Sequence, residues 1–259
     1  MVREPGQVET DFNRRAWDAV ADSAARWFRP VTEKQVVAAR EGDWSVQVTA
    51  TRSVDRDWLG DVGGRDILCL AGGGGQQGPI LAAAGGRVTV ADFSPSQLAL
   101  DRQLAERFRL PLTCLQTDMR NLAALADASF DIVLNPCSLN YCPEVQPVWN
   151  ECHRVLRSGG RLIAGLIQPL NYLFDPARLA AGDFVVTGSI PCCQMPESGA
   201  AGPVAIEFAH PLEDLLGGQL RAGFRLVGLQ EDRWGGHDPL SQRIDLFLAT
   251  CAVKPETAG

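Results

Sequence analysis

The apolar run Ile67-Leu68-Cys69-Leu70-Ala71 stops at four consecutive glycines, Gly72 to Gly75, and Gln76-Gln77-Gly78 follows. No other stretch constrains the fold as strongly. A short apolar run that ends at a turn suits a parallel strand buried on both faces. The glycines permit a tight turn and let a large group come close to the backbone. Pro79-Ile80-Leu81-Ala82-Ala83-Ala84 comes next, apolar and compatible with the first turns of a helix. Strand, glycine turn and helix N-terminus together make a nucleotide-type site in an α/β fold.

The glycines fit two templates. Gly73-x-Gly75-x-x-Gly78 matches the dinucleotide fingerprint. Read one register earlier, Leu70-Ala71-Gly72-Gly73-Gly74-Gly75 resembles the first motif of class I S-adenosylmethionine (SAM) methyltransferases. The two folds share this unit, so the glycines alone do not choose. Asp92 does not choose either. It closes the second apolar run, Arg87-Val88-Thr89-Val90-Ala91, nineteen residues after Gly73. A carboxylate there can accept from two ribose hydroxyls, and both cofactors carry a ribose.

The downstream sequence favours the methyltransferase reading. Asp92-Phe93-Ser94-Pro95-Ser96-Gln97-Leu98 resembles the family's second motif, and Gln116-Thr117-Asp118-Met119 its third. Phe130-Asp131-Ile132-Val133-Leu134-Asn135-Pro136 resembles the fourth. Arg154-Val155-Leu156-Arg157-Ser158-Gly159-Gly160 is similar to the helix-to-strand turn before strand five. The resemblance spans roughly residues 61–168, and more loosely the C-terminal strands. Two positions depart from it. Cys69 stands where an acid is common, and Ala71 where the first glycine is usual. The missing acid commonly helps hold the methionine ammonium, a task the Gln76 and Gln77 amides can take over. A buried small apolar residue is the plain reading of Cys69.

The resemblance implies an α/β, Rossmann-like, doubly wound sheet of seven strands in order 3-2-1-4-5-7-6, with strand seven antiparallel. It implies SAM as cofactor and S-adenosylhomocysteine as product. Ala71, Gly72, Gly73 and Gly74, with Gln77, would run under the methionine end. Asp92 would hold the ribose, with Gln97 close by, and Phe93 would flank the adenine. Asp118 and the Met119 backbone would read the adenine edge. The Asn135 carbonyl, beside Pro136, would meet the methionine ammonium. Asn140 and Tyr141 follow on the expected roof of the site as candidates to orient an acceptor. His210, at the far end of a loop, is the candidate general base. His153 and His237 read as surface or turn residues. No metal is expected, and no paired Cys-x-x-Cys zinc spacing occurs.

Charge and composition narrow the acceptor. Lys plus Arg is 24 against 31 Asp plus Glu, a formal charge of −7 with no strongly basic block. A nucleic-acid enzyme would be expected to neutralise phosphates, so the acceptor reads as a small molecule. No apolar run approaches the ~20 residues of a membrane span. The stretch from Met1 to Gln7 carries no apolar signal core, and the expected compartment is the cytoplasm. The eight cysteines would then be mostly reduced. Cys137, Cys142, Cys192 and Cys193 nevertheless keep open a thiol site for a metalloid acceptor such as arsenite. A nicotinamide oxidoreductase and a SAM-binding protein without transfer activity are the other rivals. A monomer or a homodimer is expected.

The chain reads as one methyltransferase domain. Residues 1–60 form an N-terminal cap, 61–168 the SAM-binding core, 169–210 a lid or substrate insertion, and 211–254 the C-terminal helix and strands. Phe12, Ala16, Trp17, Val20, Ala24 and Trp27 recur at helical spacing within 8–41, a region broken near Pro30. That face either packs on the domain or covers the cofactor. Strands are expected near 66–71, 87–91, 112–116, 130–135, 161–167, 224–230 and 244–253. Val46 to Thr51 alternates weakly, as an edge strand would. Helices are expected near 76–84, 95–108, 144–156 and 212–222. Ser94, Pro95 and Gln97 suggest a capping box on the second of these.

Overall fold

The computed structural model describes residues 7–20, 29–186, 205–236 and 238–256. The core alternates strand and helix: β1 (Asp66–Leu70), α4 (Gln77–Ala83), β2 (Arg87–Asp92), α5 (Pro95–Phe108), β3 (Leu112–Gln116), β4 (Phe130–Asn135), α6 (Gln146–Val155) and β5 (Leu156–Ile167). Before it come α1 (Gln7–Val20), α2 (Glu33–Arg40) and α3 (Arg56–Leu59). After it come α7 (Pro176–Ala180), α8 (Gly218–Arg221), β6 (Arg225–Asp232) and β7 (Phe247–Val253). The sheet order is β3-β2-β1-β4-β5-β7-β6, as the resemblance implied. β1 to β5 pair in parallel, and β7 is antiparallel to both of its neighbours.

The apolar runs are continuous because both faces of the sheet are covered. Along β1, Ile67 and Cys69 join one hydrophobic cluster, with Leu81 of α4 and Val36 of α2. Leu68 and Leu70 join the opposite cluster, with Trp149 and Val155 of α6 and Phe224. Cys69 is therefore a core side chain. Burial pushes its thiol far above the ordinary range.

Several local expectations change. Residues 46–51 form no strand. Their only ladder contact is an isolated bridge from Gln47 to Ser53. Val48 instead offers its carbonyl to the Cys137 amide at 2.9 Å, so the segment lies over the roof of the site. Gly165 on β5 makes this approach possible, since a Cβ there would lie 1.9 Å from the Val48 oxygen. β5 begins at Leu156, earlier than expected, and carries Ser158-Gly159-Gly160 within the strand. The segment 212–222 is a π-helical turn over Glu213–Gly217 that continues into α8. The Ser94 cap is only half of a capping box. Its side chain accepts from the Gln97 amide, but the Gln97 side chain donates to the Trp17 carbonyl instead. The full box occurs at Thr32 and Gln35, at the start of α2.

Candidate active site

The glycine turn follows β1 and is fastened from beneath by two carboxylates. Asp92, at the end of β2, accepts from the Gly73 amide at 3.0 Å and the Ser94 amide at 2.9 Å. Asp101, fully buried on α5, accepts from the Gly74 amide at 2.9 Å and the Gly75 amide at 3.2 Å. A Cβ on Gly73 would lie 2.9 Å from both Asp92 Oδ2 and Gln97 Cβ, which excludes any side chain there. Burial pushes the Asp92 carboxyl up to about 6 and that of Asp101 up to about 7, although backbone donors pull both back. Ala71 has φ 49°, so it takes the left-handed conformation at the position where the family's glycine is usual.

Above this turn lie two adjoining chambers. The first is lined by Ala71, Gly73, Asp92, Phe93, Gln97, Asp118 and Met119, together with Thr10 and Trp17 of α1 and Cys137, Ser138 and Tyr141 of the loop after β4. The second, with a volume of about 250 Å³, is lined by Gly72, Gln77, Pro136, Asn140, Tyr141, Asn171, Glu207, Trp234 and Phe247, among others. Trp17, Ala71, Gly73, Cys137 and Tyr141 belong to both walls.

Most of the expected site residues thus meet. Gly74, Asn135 and His210 line neither chamber. Gly74 points into the Asp101 staple. The Asn135 side chain is fully buried beneath the loop and donates to the Leu70 carbonyl at 2.9 Å and to Ser138 Oγ at 3.0 Å. His210 Nε2 lies 2.8 Å from the Cys142 carbonyl and 3.1 Å from the Leu139 carbonyl. Two carbonyls require a donor, so Nε2 carries a proton and fixes the roof loop. Burial lowers the His210 pKa, against the pull of those carbonyls. The ring is a structural tie, and the geometry does not support it as the general base.

Asp118 is held by Arg120, whose Nη2 reaches Oδ2 at 2.7 Å. Arg120 also donates to Thr10 Oγ1 at 2.9 Å, linking this wall of the first chamber to α1. This helix is clasped at two more points. Asp18 Oδ1 accepts from Ser94 Oγ at 2.6 Å. Asn13, fully buried, donates to the carbonyls of Tyr141 and Ile206 and accepts from the Ile206 amide at 2.6 Å. The apolar periodicity of α1 therefore pointed to the correct side of the helix, but a polar residue sits deepest in it. Ala24 and Trp27 lie outside the described residues.

Sequence reasoning missed Glu207, a half-buried carboxylate on the second chamber's wall. Tyr172 Oη donates to its Oε2 at 2.8 Å. Burial pushes the Glu207 carboxyl up, while Tyr172, Asn140 and Tyr141 pull it back. The Asn140 amide faces Glu207 and Tyr141 as a hydrogen-bonding group, yet neither its Oδ1 nor its Nδ2 completes a bond of good geometry. Burial holds the Tyr141 and Tyr172 hydroxyls well above the ordinary phenol range, so both stay protonated. No local pattern marks Glu207. The contact with Tyr172 spans 35 residues, across a segment without period.

Cys137 and Cys142 do reach the first chamber. Burial keeps both thiols protonated, with Cys142 pushed up to about 12. Among the described residues no group of three or more His, Cys, Asp or Glu is placed to hold a metal. Cys192, Cys193 and His237 lie outside the described residues.

Residues 68–164 match the model of a methyltransferase domain family. The uncharacterized methyltransferase YbaJ of Bacillus subtilis is 39% identical over 250 residues, covering 93% of this chain and 97% of that protein. The chain belongs to the SAM-dependent methyltransferases. An arsenite methyltransferase of Aquipseudomonas alcaligenes is 34% identical over 126 residues, 44% of this chain and 36% of that protein. Among solved structures, the methyltransferase fold matches 1,6-didemethyltoxoflavin-N1-methyltransferase of Burkholderia thailandensis with a TM-score of 0.60. Identity to that protein is 16%, over 99% of this chain and 92% of that one. No helix among the described residues of the methyltransferase is long and apolar enough to cross a membrane.

Proposed function

We propose that this methyltransferase moves the methyl group of SAM to a small-molecule acceptor held in the second chamber. The observation that carries the reading is the shared wall of the two chambers, formed by Trp17, Ala71, Gly73, Cys137 and Tyr141. A donor in one chamber and an acceptor in the other would meet across it, and such positioning supplies much of the rate of an in-line displacement.

The residues of the first chamber fit the cofactor's parts. Asp92 offers a carboxylate to the ribose, and Phe93 an aromatic face to the adenine. Asp118, steadied by Arg120, and the Met119 backbone offer an edge to the adenine amine. Ala71, Gly72 and Gly73, with Gln77, leave the backbone open to the methionine end. A glycine cradle that a single Cβ would fill supports this fit. When bound, SAM supplies an electrophilic methyl on a sulfonium. Tyr141 and Asn140 then orient the acceptor, and Trp17 of α1 excludes water. The segments 1–60, 61–168, 169–210 and 211–254 serve as cap, cofactor core, lid and C-terminal completion. A cytoplasmic enzyme, monomeric or dimeric, without nucleic-acid or membrane partners, completes the reading.

Turnover tests it. Purified protein incubated with SAM and a panel of small amines, phenols, thiols and arsenite should release S-adenosylhomocysteine with a subset of them, and Tyr141→Ala should abolish that release. SAM binding without turnover on any acceptor would point to a sensor instead. The thiol reading keeps a foothold in Cys137 and Cys142. Unchanged turnover after alanine replacement of Cys137 and Cys142, as of Cys192 and Cys193, would remove it.

A further inference from the structure

The second chamber carries polar groups whose bonding is unfinished. Asn140 is 5% exposed and lines the chamber, and although its amide faces Glu207 and Tyr141, neither the oxygen nor the nitrogen makes a well-formed hydrogen bond. A buried amide left in this state is costly, which makes it a socket for a ligand with a complementary edge. Beside it stands the Glu207 carboxylate. Tyr172 donates to one of its oxygens, and Asn140 and Tyr141 also stabilise its charge, but a carboxylate has room for about four donors, so a position stays open. No Lys, Arg or His among the described residues makes an ion pair with Glu207. Residues 187–204, which precede it, contain no basic residue at all.

The other walls are aromatic. Trp17 meets Tyr141 edge-on at 5.0 Å, and Trp234 meets Phe247 edge-on at 4.7 Å. These four rings in the lining favour a flat guest.

We propose that this chamber selects a flat, uncharged heterocycle bearing an N–H beside a ring carbonyl, the N–H donating to Glu207 and the carbonyl edge meeting the Asn140 amide. The inference rests on the reading of this chamber as the acceptor site. An anionic guest is rejected, because its charge would face the Glu207 carboxylate with no cation to offset it. A flat guest without the N–H leaves the same groups unpaired and loses affinity for that reason.

Calorimetry on protein preloaded with S-adenosylhomocysteine tests the proposal, with three probes of similar size. Quinazolinone carries the N–H and carbonyl edge, quinazoline lacks the N–H, and naphthoate is anionic. Quinazolinone should bind at least about tenfold more tightly than the other two. Glu207→Gln should weaken quinazolinone by about tenfold while leaving affinity for S-adenosylhomocysteine unchanged, which shows the variant folded. Equal binding of naphthoate and quinazolinone, or no binding of quinazolinone, overturns the proposal while the cofactor site stands. Failure of the wild-type protein to bind S-adenosylhomocysteine overturns the site assignment and the proposal together.

Discussion

Asp101 accepts a hydrogen bond from the Gly74 amide at 2.9 Å, so a helix carboxylate holds the glycine turn in place. Its second oxygen, Oδ1, is buried without a partner. Burial lifts this carboxyl from 3.8 to about 7, against the Gly75 and Gly74 amides, and the nearby Asp92 charge raises it further. A carboxyl raised on folding contributes stability that is full below the unfolded value and is lost as pH rises through the folded one. Asp101→Asn keeps an acceptor for the loop and cannot ionise. The variant should therefore gain stability relative to wild type between pH 3.8 and about 7, by on the order of 2–4 kcal/mol, and then level off. Thermal melts of both proteins across that range check it. A difference that is flat with pH would contradict the assignment.

Ala71 holds a left-handed backbone at φ 49°. That conformation costs a non-glycine residue about 1–2 kcal/mol, while glycine surrenders more freedom on folding. Ala71→Gly should stabilise the protein by about 0.5–1.5 kcal/mol, read as a higher urea midpoint with an unchanged slope. Destabilisation would mean that the Ala71 methyl packs usefully against the site.

Asp92→Ala should weaken SAM binding by about tenfold or more, the loss of a charge-assisted contact of ~1.5–3 kcal/mol. Calorimetric titration with SAM measures this directly. Unchanged affinity would refute the ribose assignment.

Asn13 is the buried clasp between α1, the Tyr141 carbonyl and the residue at 206. Asn13→Ala leaves these backbone groups unpaired, at a cost of about 1–3 kcal/mol. Amide hydrogen exchange should rise across α1 while β1 and β4 keep their protection. Exchange that rises in all three would mean that Asn13 serves the whole fold rather than the cap.

His210→Gln keeps a donor for the Leu139 and Cys142 carbonyls. With an active acceptor in hand, its pH–rate profile should match that of the wild-type protein. Loss of the acidic limb, where a base becomes protonated, would restore His210 as a general base.

The core of the fold was legible because its signals are local. A buried parallel strand writes itself as a continuous apolar run, and the residues at its end point into the site. Asp92, Phe93, Asp118 and Met119, which the motif resemblance names at strand ends, all line the first chamber. The features that sequence missed are set by distant contacts. Val46 to Thr51 alternates like a strand, yet its backbone is taken up by the Cys137 amide and by Asp232. His210 looked free in sequence, but two carbonyls of the roof loop occupy it. Glu207 and Asn140 meet because residues 205–208 lie against the loop after β4, far from Asn140 in sequence. There the Phe208 amide donates to the Asn140 carbonyl at 2.6 Å.

The most direct test is a calorimetric titration of the purified protein with SAM, S-adenosylhomocysteine and NAD(H). SAM and S-adenosylhomocysteine should bind at micromolar affinity, and NAD(H) should not bind. Binding of NAD(H) alone would contradict the SAM assignment, and the glycine turn would then belong to a dinucleotide.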